Sequence, residues 1–554
     1  MKITFDEFDA ILYRKSGKYP YVSEQDDGFC DLFADFTGLK ASAGSAVLSP
    51  TRCAVFVDGR YKLAAKLFLD LSRFEIHDND ISTISRWIKD NIEVGKTIAY
   101  DSRFFSENSI NKIKKALTEY KFKSINLEQL LNSQPKKRKL EIHRVKRTFP
   151  DSKFAEIYDI IAKNGLDAYL LCDPCSISWL LNIRDFDSQF SNVVFGYLLI
   201  RKNYDSALYL DDLYSEIVNP SECVVQIKSE KDLVGDLAEF SRIGADEFET
   251  PSHLYRNNFV HVSNPCILQK AIKNEVEISD IKEAAKADSA AIIKLLYWLY
   301  NSEGTNSISE IQVAEKLIEF RKQNNTYVCE SFPCISAADE HSAIIHYSPT
   351  TDSNSVIQNI LLIDTGGQYK YGTTDITRTI CLHKPTAEQK LFYTLVLKGH
   401  IAIANVKFPE GTSFAQLEPF ARQFLWRHSA DYPHSTSHGI GYMSCVHENL
   451  APSANGRGAP LHSGMVISNE PGYYRDGYFG IRLENMMLVK DNLDGYLSFE
   501  TLSLVPFDVR LVDRHMLTET ENTWLHKYHD TICTKLAKFL PKDIMEWVRS
   551  FCFA

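Results

Sequence analysis

The sequence lacks a hydrophobic run long enough to cross a bilayer. Its longest apolar stretch, "VVFGYLLI" at 193–200, is far shorter than the roughly 20 residues that a spanning helix needs. The N-terminus carries Asp6, Glu7 and Asp9, where a signal peptide would have its apolar segment. These absences predict a cytoplasmic protein with no membrane partner.

Positive charge is not in excess either. The 554 residues include 62 Lys and Arg against 72 Asp and Glu, for a net charge of −10. A nucleic-acid-binding surface needs clustered basic charge, so we expect no nucleic-acid partner. The segment "QPKKRKLEIHRVKR" at 134–147 is compatible with a nuclear-localisation or polyanion-binding role. We favour a solvated connection between domains.

Closely spaced cysteines are scarce. Of the twelve cysteines, only Cys172 and Cys175 lie close together, in "CDPC". Without a second pair or a nearby histidine, this spacing does not predict a zinc site. A redox pair and two buried thiols remain as interpretations, and we favour the thiols. The many unpaired cysteines indicate a reducing compartment.

What the sequence does contain is an α/β pattern. "CAVFVDGRY" at 53–61 predicts a strand leading into a helix near Tyr61, and "FAEIYDIIAKNGLDAYLL" predicts a helix, a glycine stop and a strand. "VVFGYLLIRKNYDSALYL" predicts a hairpin. Two α/β domains of similar size are therefore expected before residue 275. A long helix opens the rest of the chain in "EVEISDIKEAAKADSAAIIKLLYWLYN", and β-rich stretches follow.

Four carboxylates stand in apolar, strand-like surroundings in this last part. Asp364 and Asp375 lie in "LLIDTGGQYKYGTTDITRTI", Glu470 ends the apolar run of "VISNEPGYY", and Glu484 lies in "GIRLENMMLV". A buried acid has to be neutralised, paired or bound to a metal. Taken singly, Asp364 is compatible with a turn cap, and Glu470 with an ion pair to Arg482.

A histidine-rich segment, "HSTSHGIGYMSCVHE", carries His434, His438 and His447. His438 alone is compatible with a core histidine. Four acids that converged without cations would repel one another strongly, and two divalent ions that Asp375 and Glu484 bridge would remove that difficulty. Four carboxylates and one imidazole favour manganese, with cobalt or zinc as alternatives. Two adjacent metals can hold a bridging hydroxide and polarise a carbonyl, which is hydrolytic chemistry.

The order Asp, Asp, His, Glu, Glu in these contexts resembles the metallopeptidases of the pita-bread fold, which include methionine aminopeptidase, prolidase and aminopeptidase P. With "VDGRY", "SISWLLNIRDFD" and "SAIIHYSP", the resemblance extends over nearly the whole chain to the three-domain Xaa-Pro aminopeptidases. It implies an α/β (α+β) protein. Creatinase-like domains would span 1–133 and 134–275, a pita-bread catalytic domain 276–505, and a C-terminal extension 506–554.

The resemblance also implies roles for the metal ligands. Asp364 would chelate one metal, Asp375 and Glu484 would bridge both, and His438 and Glu470 would complete the other. Glu470 would in addition be the general base. The other implied site residues surround the substrate: His447 as the histidine that stabilises the tetrahedral intermediate or assists proton transfer, His346 and His434 as pocket histidines, and Arg482 as the arginine that supports the metal site and pocket.

The implied activity is removal of an N-terminal residue that precedes proline, from peptides with proline at the second position. Relatives of this length imply a homodimer. A prolidase restricted to Xaa-Pro dipeptides is the nearest alternative. A non-catalytic pita-bread binding module is less favoured, because such modules lose metal ligands and this sequence retains all five. The family pattern H-G-T-G-H-G becomes "HSTSHGIG" here, so Ser435 and Ser437 would be strained if the glycines serve a positive φ.

Overall fold

The computed structural model describes residues 5–15, 31–130, 137–145, 151–203, 205–301, 307–450 and 458–553. The described residues up to Ile267 form one compact unit, called here the N-terminal unit. Those from Leu268 onward form a second compact unit, the C-terminal unit. Both units mix helices with strands, so the predicted α/β fold class is confirmed.

The N-terminal unit contains two six-stranded sheets, a three-stranded sheet and several helices. Its strands are β1 Ala10–Lys15, β2 Gly44–Leu48, β3 Cys53–Val57, β4 Phe74–Asp78, β5 Thr97–Tyr100, β6 Lys121–Ser124, β7 Arg138–Arg144, β8 Ala168–Leu171, β9 Ile183–Asp185, β10 Gly196–Arg201, β11 Ala207–Leu210, β12 Tyr214–Val218, β13 Gln226–Ser229, β14 Ile243–Ala245 and β15 Phe259–His261. Its helices are α1 Leu32–Thr37, α2 Lys62–Phe68, α3 Ile81–Asn91, α4 Glu107–Ala116, α5 Asp151–Lys163, α6 Pro174–Leu181 and α7 Glu230–Leu237.

The two six-stranded sheets have the same topology. The first has the order β4-β3-β2-β1-β5-β6 and the second the order β13-β11-β10-β8-β14-β15. In each, the first three strands along the chain pair antiparallel and the outer strands pair parallel. The strand and helix predicted from "CAVFVDGRY" are β3 and α2, and the predicted hairpin is β10 and β11. The N-terminal unit therefore contains the same α/β topology twice, although no internal repeat stands out in the sequence.

Two local predictions in this unit need correction. The basic segment 134–147 is not simply a solvated connection, because Arg138–Arg144 forms β7, which pairs with β12 and β9 and buries Leu140 and Ile142. The rest of that segment lies outside the described residues, apart from Lys137 and Val145. Cys172 is a buried free thiol as predicted, whereas Cys175 is disulfide-bonded.

The C-terminal unit contains four small sheets surrounded by helices, with the orders β16-β19-β20, β17-β18-β21, β22-β27-β26-β23 and β24-β25. Its strands are β16 Tyr327–Glu330, β17 Ile335–Ala338, β18 Ile360–Thr365, β19 Gly367–Tyr369, β20 Gly372–Thr373, β21 Ile376–Cys381, β22 Phe408–Pro409, β23 Val466–Asn469, β24 Gly472–Arg475, β25 Phe479–Arg482, β26 Asn485–Asp491 and β27 Tyr496–Thr501. Its helices, of which α8 begins just before the unit does, are α8 Cys266–Ala271, α9 Glu275–Asn301, α10 Glu310–Arg321, α11 Ala387–Ala404, α12 Phe414–Trp426, α13 Glu519–Lys535 and α14 Lys542–Cys552.

The helices of this unit begin where the sequence supplies capping groups. Capping boxes, in which a Ser or Thr and a Gln or Glu three residues later satisfy each other's backbone N–H groups, start several of them, for example Ser309 with Gln312 for α10, Thr386 with Gln389 for α11, and Thr518 with Glu521 for α13. The predicted long helix is α9. None of the helices in the described ranges combines the length and apolar character that a membrane span requires.

A large hydrophobic core connects α9, β21 and α14. Leu299 of α9, Ile380 of β21 and Val548 of α14 belong to the same buried cluster. The last two helices therefore pack on the core that supports the central strands, and do not form a separate core of their own.

Gly480 of β25 packs directly against the short 3-10 turn Asp339–Ala343. Its N–H donates to Ser342 Oγ at 2.6 Å, and a Cβ added at this position would lie 1.9 Å from the Ser342 carbonyl oxygen. The contact holds β25 against the turn that precedes His346.

Gly480→Ala is therefore expected to destabilise the protein by about 3 kcal/mol or more, at or above the upper end of the cost of overpacking a core. The measurement is the unfolding midpoint in urea. Gly458→Ala is the control, because none of the described residues other than its chain neighbours has an atom within 4 Å of a Cβ built there. Equal midpoints for the two variants would contradict the packing described here.

Candidate metal centre

Asp364 and Asp375 lie on the same face of one pair of strands. In the antiparallel pairing of β18 with β21, Asp364 is opposite Thr377, and Asp375 is two residues before Thr377. Asp375 lies one residue before β21 begins. Paired residues point to the same face, and so do residues two apart along an extended chain. Both carboxylates are buried. The register of a single hairpin therefore brings the two aspartates together.

Gly366, two residues after Asp364, is the single residue that links β18 to β19. A Cβ at this glycine would lie 1.9 Å from the Thr374 carbonyl oxygen and 2.2 Å from Ser331 Oγ. Only a glycine allows the backbone after Asp364 to approach the backbone before Asp375 this closely. The glycines of "DTGGQYKYGTTD" thus have a packing role close to the candidate ligands.

His438 is oriented by its own backbone neighbours. Its Nδ1 lies 2.9 Å from the Gly439 carbonyl oxygen, so Nδ1 carries the proton and donates. In the neutral ring, the remaining nitrogen, Nε2, carries the lone pair. It lies 3.3 Å from Asp375 Oδ2 and 3.5 Å from Glu470 Oε1. This neutral tautomer is the one that binds a metal.

The two glutamates reach the same place from other strands. Glu470 follows β23, and its N–H donates to the Thr436 carbonyl at 2.9 Å. Glu484 lies between β25 and β26, and its N–H donates to the Thr377 carbonyl at 3.0 Å. Thr377 also donates its hydroxyl to Glu484 Oε2 at 2.8 Å. Thr377 therefore ties Glu484 to the strand pair that carries the aspartates.

The donor atoms fit divalent cations. One ligand atom from each of Asp375, His438 and Glu484 lies within 4.8 Å of the others. Among the described residues, Asp364 Oδ1, Asp375 Oδ1 and Glu484 Oε1 are buried and have no hydrogen-bond partner. A buried carboxylate oxygen without a donor is costly. Oxygen donors in this number suit hard divalent ions.

The electrostatics of the centre also favour bound cations. Burial raises the pKa of Asp375 well above its usual range, and the carboxylates of Asp364 and Glu470 raise it further. Burial likewise raises the pKa of Glu484, followed by the effect of Asp375 and Glu470. The metal-free cluster thus resists full ionisation, and bound cations would remove that resistance.

Arg482 compensates only part of this charge. It is buried, and its Nη2 donates to Asp364 Oδ2 at 2.7 Å. The described ion pair of Arg482 is therefore with Asp364. The sequence, with Glu470 taken singly, had been compatible with an ion pair between Arg482 and Glu470.

A chain of hydrogen bonds runs on from Arg482. Its Nη1 donates to the Tyr474 hydroxyl at 2.7 Å, and that hydroxyl lies 2.9 Å from His434 Nε2. His434 Nδ1 lies 2.8 Å from the Ser435 carbonyl and donates to it, so Nε2 accepts from Tyr474. Sequence reasoning did not single out Tyr474, although it lies in the quoted "NEPGYY".

His447 lies beside the cluster. Its side chain is exposed, and its ring centroid is 4.3 Å from that of His438 with the rings nearly perpendicular. The two histidines meet because Gly439 pairs antiparallel with Glu448. Glu448 itself is buried and forms ion pairs with Lys270 and Lys273.

His346 is half-buried and follows the turn that packs against Gly480. The carbonyl of the preceding Ile345 accepts from Arg482 Nη2 at 3.3 Å. The same arginine therefore contacts Asp364 and the backbone next to His346.

Ser435 and Ser437 are accommodated without backbone strain. Neither is among the described residues that have a positive φ. Ser435 Oγ donates to the Ser437 carbonyl at 3.0 Å. Glycine at these two positions is therefore not needed for a left-handed conformation.

Three family models match consecutive parts of the chain. A creatinase/prolidase N-terminal domain matches residues 133–277, metallopeptidase family M24 matches 279–491, and the C-terminal region of peptidase M24 matches 495–552. The four carboxylates and His438 all lie within the M24 match.

Proteins of known name are similar over almost the whole chain. Aminopeptidase P2 of Arabidopsis thaliana is 32% identical over 93% of this chain and 82% of its own length. A probable Xaa-Pro aminopeptidase P of Phaeosphaeria nodorum is 33% identical over 94% of this chain and 87% of its own length. The crystal structure of X-prolyl aminopeptidase from Caenorhabditis elegans, a cytosolic enzyme with a di-nuclear active site, matches with a TM-score of 0.89. It is 25% identical, and the match covers 98% of this chain and 95% of that one.

Proposed function

The chain belongs to metallopeptidase family M24, and from that membership we propose that it is a metal-dependent aminopeptidase acting on Xaa-Pro peptides. It would hydrolyse the bond between an N-terminal residue and a following proline. The observation that carries the proposal is the buried cluster in which ligand atoms of Asp375, His438 and Glu484 lie within 4.8 Å of one another. The names of the similar proteins support the same activity.

Five side chains would hold two divalent ions: Asp364, Asp375, His438, Glu470 and Glu484. When bound, the two ions would lower the pKa of a water molecule and polarise the scissile carbonyl. The unpartnered oxygens of Asp364, Asp375 and Glu484 support this assignment. So does the lone pair that the hydrogen bond at Nδ1 leaves on His438 Nε2.

Glu470 is suited to receive the proton of the attacking water. Its side chain is 17% exposed, against 12% for Asp364 and 5% for Asp375, and the whole Glu484 residue is 2% exposed. A general base has to exchange its proton with the leaving group or the solvent. The most accessible acid of the cluster meets that requirement best.

His447 and His346 would act on the substrate. His447 is exposed beside His438, where an N–H could donate to the carbonyl oxygen as negative charge develops on it. His346 would line the pocket near the scissile carbonyl. His434 would orient Tyr474, and Arg482 would hold Asp364 through the hydrogen bonds described above.

The chemistry of proline fits this arrangement. An Xaa-Pro bond is a tertiary amide without an N–H, so a peptidase that must bind that N–H cannot use it. A site that polarises the carbonyl and provides a pocket for the proline ring does not need that N–H. The proline nitrogen still requires a proton as it leaves. A free α-amine would pair with the acids of the site, which limits cleavage to one residue.

Several finer predictions accompany the proposal. Manganese is the proposed metal because the donors are mostly oxygen. Cytoplasmic location and a homodimer stay predictions, and light scattering would measure the dimer. The domain limits at 133, 275 and 505 also stay predictions. The family-model ranges support the first two, whereas the match to the C-terminal region begins at residue 495 and not at 506.

Removal of metal is expected to lower peptidase activity by about 10³-fold or more, since metal-ion catalysis is worth several kcal/mol. Treatment with a strong chelator, followed by addition of manganese, cobalt or zinc, measures the loss and the recovery. Manganese should restore the highest activity. Full activity in rigorously metal-free protein would sink the proposed function.

The substrate prediction uses four peptides that differ in one feature each. An Xaa-Pro-Xaa tripeptide should be cut at the first bond, whereas Xaa-Ala-Xaa and the N-acetylated Xaa-Pro-Xaa should be cut poorly, because they lack the proline ring and the free amine. The Xaa-Pro dipeptide distinguishes an aminopeptidase from a prolidase, because a prolidase is restricted to this substrate. Turnover of the dipeptide alone would replace the aminopeptidase assignment by that of a dipeptidase.

His438 and His447 are expected to respond differently to alanine substitution. His438→Ala should lower both bound metal and activity, because a ligand is lost. His447→Ala should keep its metal and its Tm, because the side chain is exposed, and should lower kcat by roughly 10²-fold. Metal analysis, calorimetry and kinetics on both variants test this pair. Loss of metal in His447→Ala, or a kcat near that of the wild type, would show the assignment of His447 to be wrong.

A further inference from the structure

A buried ion pair outside the ligand set lies in the C-terminal unit. Arg321 ends α10, Asp288 lies in the middle of α9, and both are almost completely buried. Arg321 Nε donates to Asp288 Oδ1 at 2.8 Å, and Nη1 donates to Glu330 Oε2 at 2.5 Å. Buried ion pairs are weak stabilisers compared with apolar packing, so this pair calls for another role.

The pair contacts the immediate chain neighbours of both aspartates. Thr365 directly follows Asp364, and its Oγ1 accepts from Arg321 Nη1 at 2.8 Å. Thr374 directly precedes Asp375, and its Oγ1 donates to Asp288 Oδ2 at 2.9 Å. One ion pair therefore contacts the side chain of the residue next to each of the two candidate ligands.

The hairpin between the two threonines is tied to the same carboxylate. The Tyr369 hydroxyl donates to Asp288 Oδ1 at 2.9 Å. Within the hairpin, the N–H of Gly367 donates to Thr374 Oγ1 at 2.8 Å, and the N–H of Thr374 donates to the Gly367 carbonyl at 2.9 Å. Asp288 therefore accepts hydrogen bonds from Tyr369, in the middle of the segment that separates Asp364 from Asp375, and from Thr374, at its end.

We propose that Asp288 and Arg321 are positioning residues that set the separation of Asp364 and Asp375, and through it the affinity for divalent ions. The proposal rests on the proposed function, because it assumes that these aspartates bind metal. Metal ligands have to be held to within about 0.5 Å. Groups that orient ligands from outside typically change metal affinity 10- to 100-fold. Neither Asp288 nor Arg321 acts directly on the metal, since each works through a threonine hydroxyl.

The test removes the threonine hydroxyls and leaves the ion pair in place. Arg321→Ala would leave two buried carboxylates uncompensated, so unfolding would obscure its result. Thr365→Val and Thr374→Val each remove one hydroxyl and keep a β-branched side chain. Thr374→Ser restores the hydroxyl. Thr394→Val is the matched control, because Thr394 is buried and its Oγ1 also makes two hydrogen bonds, to the Lys390 carbonyl at 2.7 Å and from the Asp513 N–H at 2.9 Å.

The affinity of each full-length variant for manganese ion is measured by competition with a fluorescent chelator, and Tm is measured on the metal-free protein. We expect about 10- to 100-fold weaker manganese binding in Thr365→Val and Thr374→Val. Thr374→Ser and Thr394→Val should bind within about twofold of the wild type, and Thr394→Val should lose about as much Tm as the other valine variants.

Unchanged manganese affinity in Thr365→Val and Thr374→Val, with only Tm lowered, would overturn the proposal and leave the proposed function intact. A comparable loss of affinity in Thr394→Val would also overturn it, because the effect would then be one of general stability. A wild-type protein that binds no manganese, cobalt or zinc would overturn both this proposal and the proposed function.

Discussion

The constraint on which the C-terminal unit depends is the burial of four carboxylates in one place. Asp364, Asp375 and Glu484 are largely removed from water, Glu470 borders them, and one guanidinium, that of Arg482, contacts Asp364. Like charges in a medium of low polarity repel strongly. Such a cluster is tolerable when protons or cations neutralise it. The carboxylate oxygens without a hydrogen-bond partner among the described residues, together with His438 Nε2 beside Asp375 and Glu470, indicate cations.

The fold is arranged to hold this cluster. Antiparallel pairing of β18 with β21 places both aspartates on one face, and Thr377 connects that face to Glu484. The pairing of Gly439 with Glu448 puts His447 beside His438. The large hydrophobic core beneath, to which the C-terminal helices contribute, supports these short strands. The candidate ligands therefore lie on small sheets that pack against the surrounding helices.

The sequence made the acidic ligands visible because carboxylates are rare in apolar strand-like runs, and the spacing and order of Asp364, Asp375, His438, Glu470 and Glu484 are specific. It indicated Arg482 as a support of the site, but not the carboxylate with which that arginine pairs, and it did not indicate Asp288 or Arg321. Arg482 pairs with Asp364 across 118 positions, and Arg321 pairs with Asp288 across 33. Such pairings are set by tertiary packing, and nothing in the local pattern signals them. Two similar α/β segments were predicted for the N-terminal part, but the strand order of their sheets was not, because strand order is a non-local property.

The central claim is that two divalent ions neutralise this carboxylate cluster. Its most direct test is a crystal structure of the manganese-loaded protein with anomalous diffraction recorded at the manganese edge. The account predicts two anomalous peaks, one contacted by Asp364 and the other by His438 and Glu470, with Asp375 and Glu484 between them. A map without peaks at these side chains, from crystals grown at saturating manganese, would contradict it.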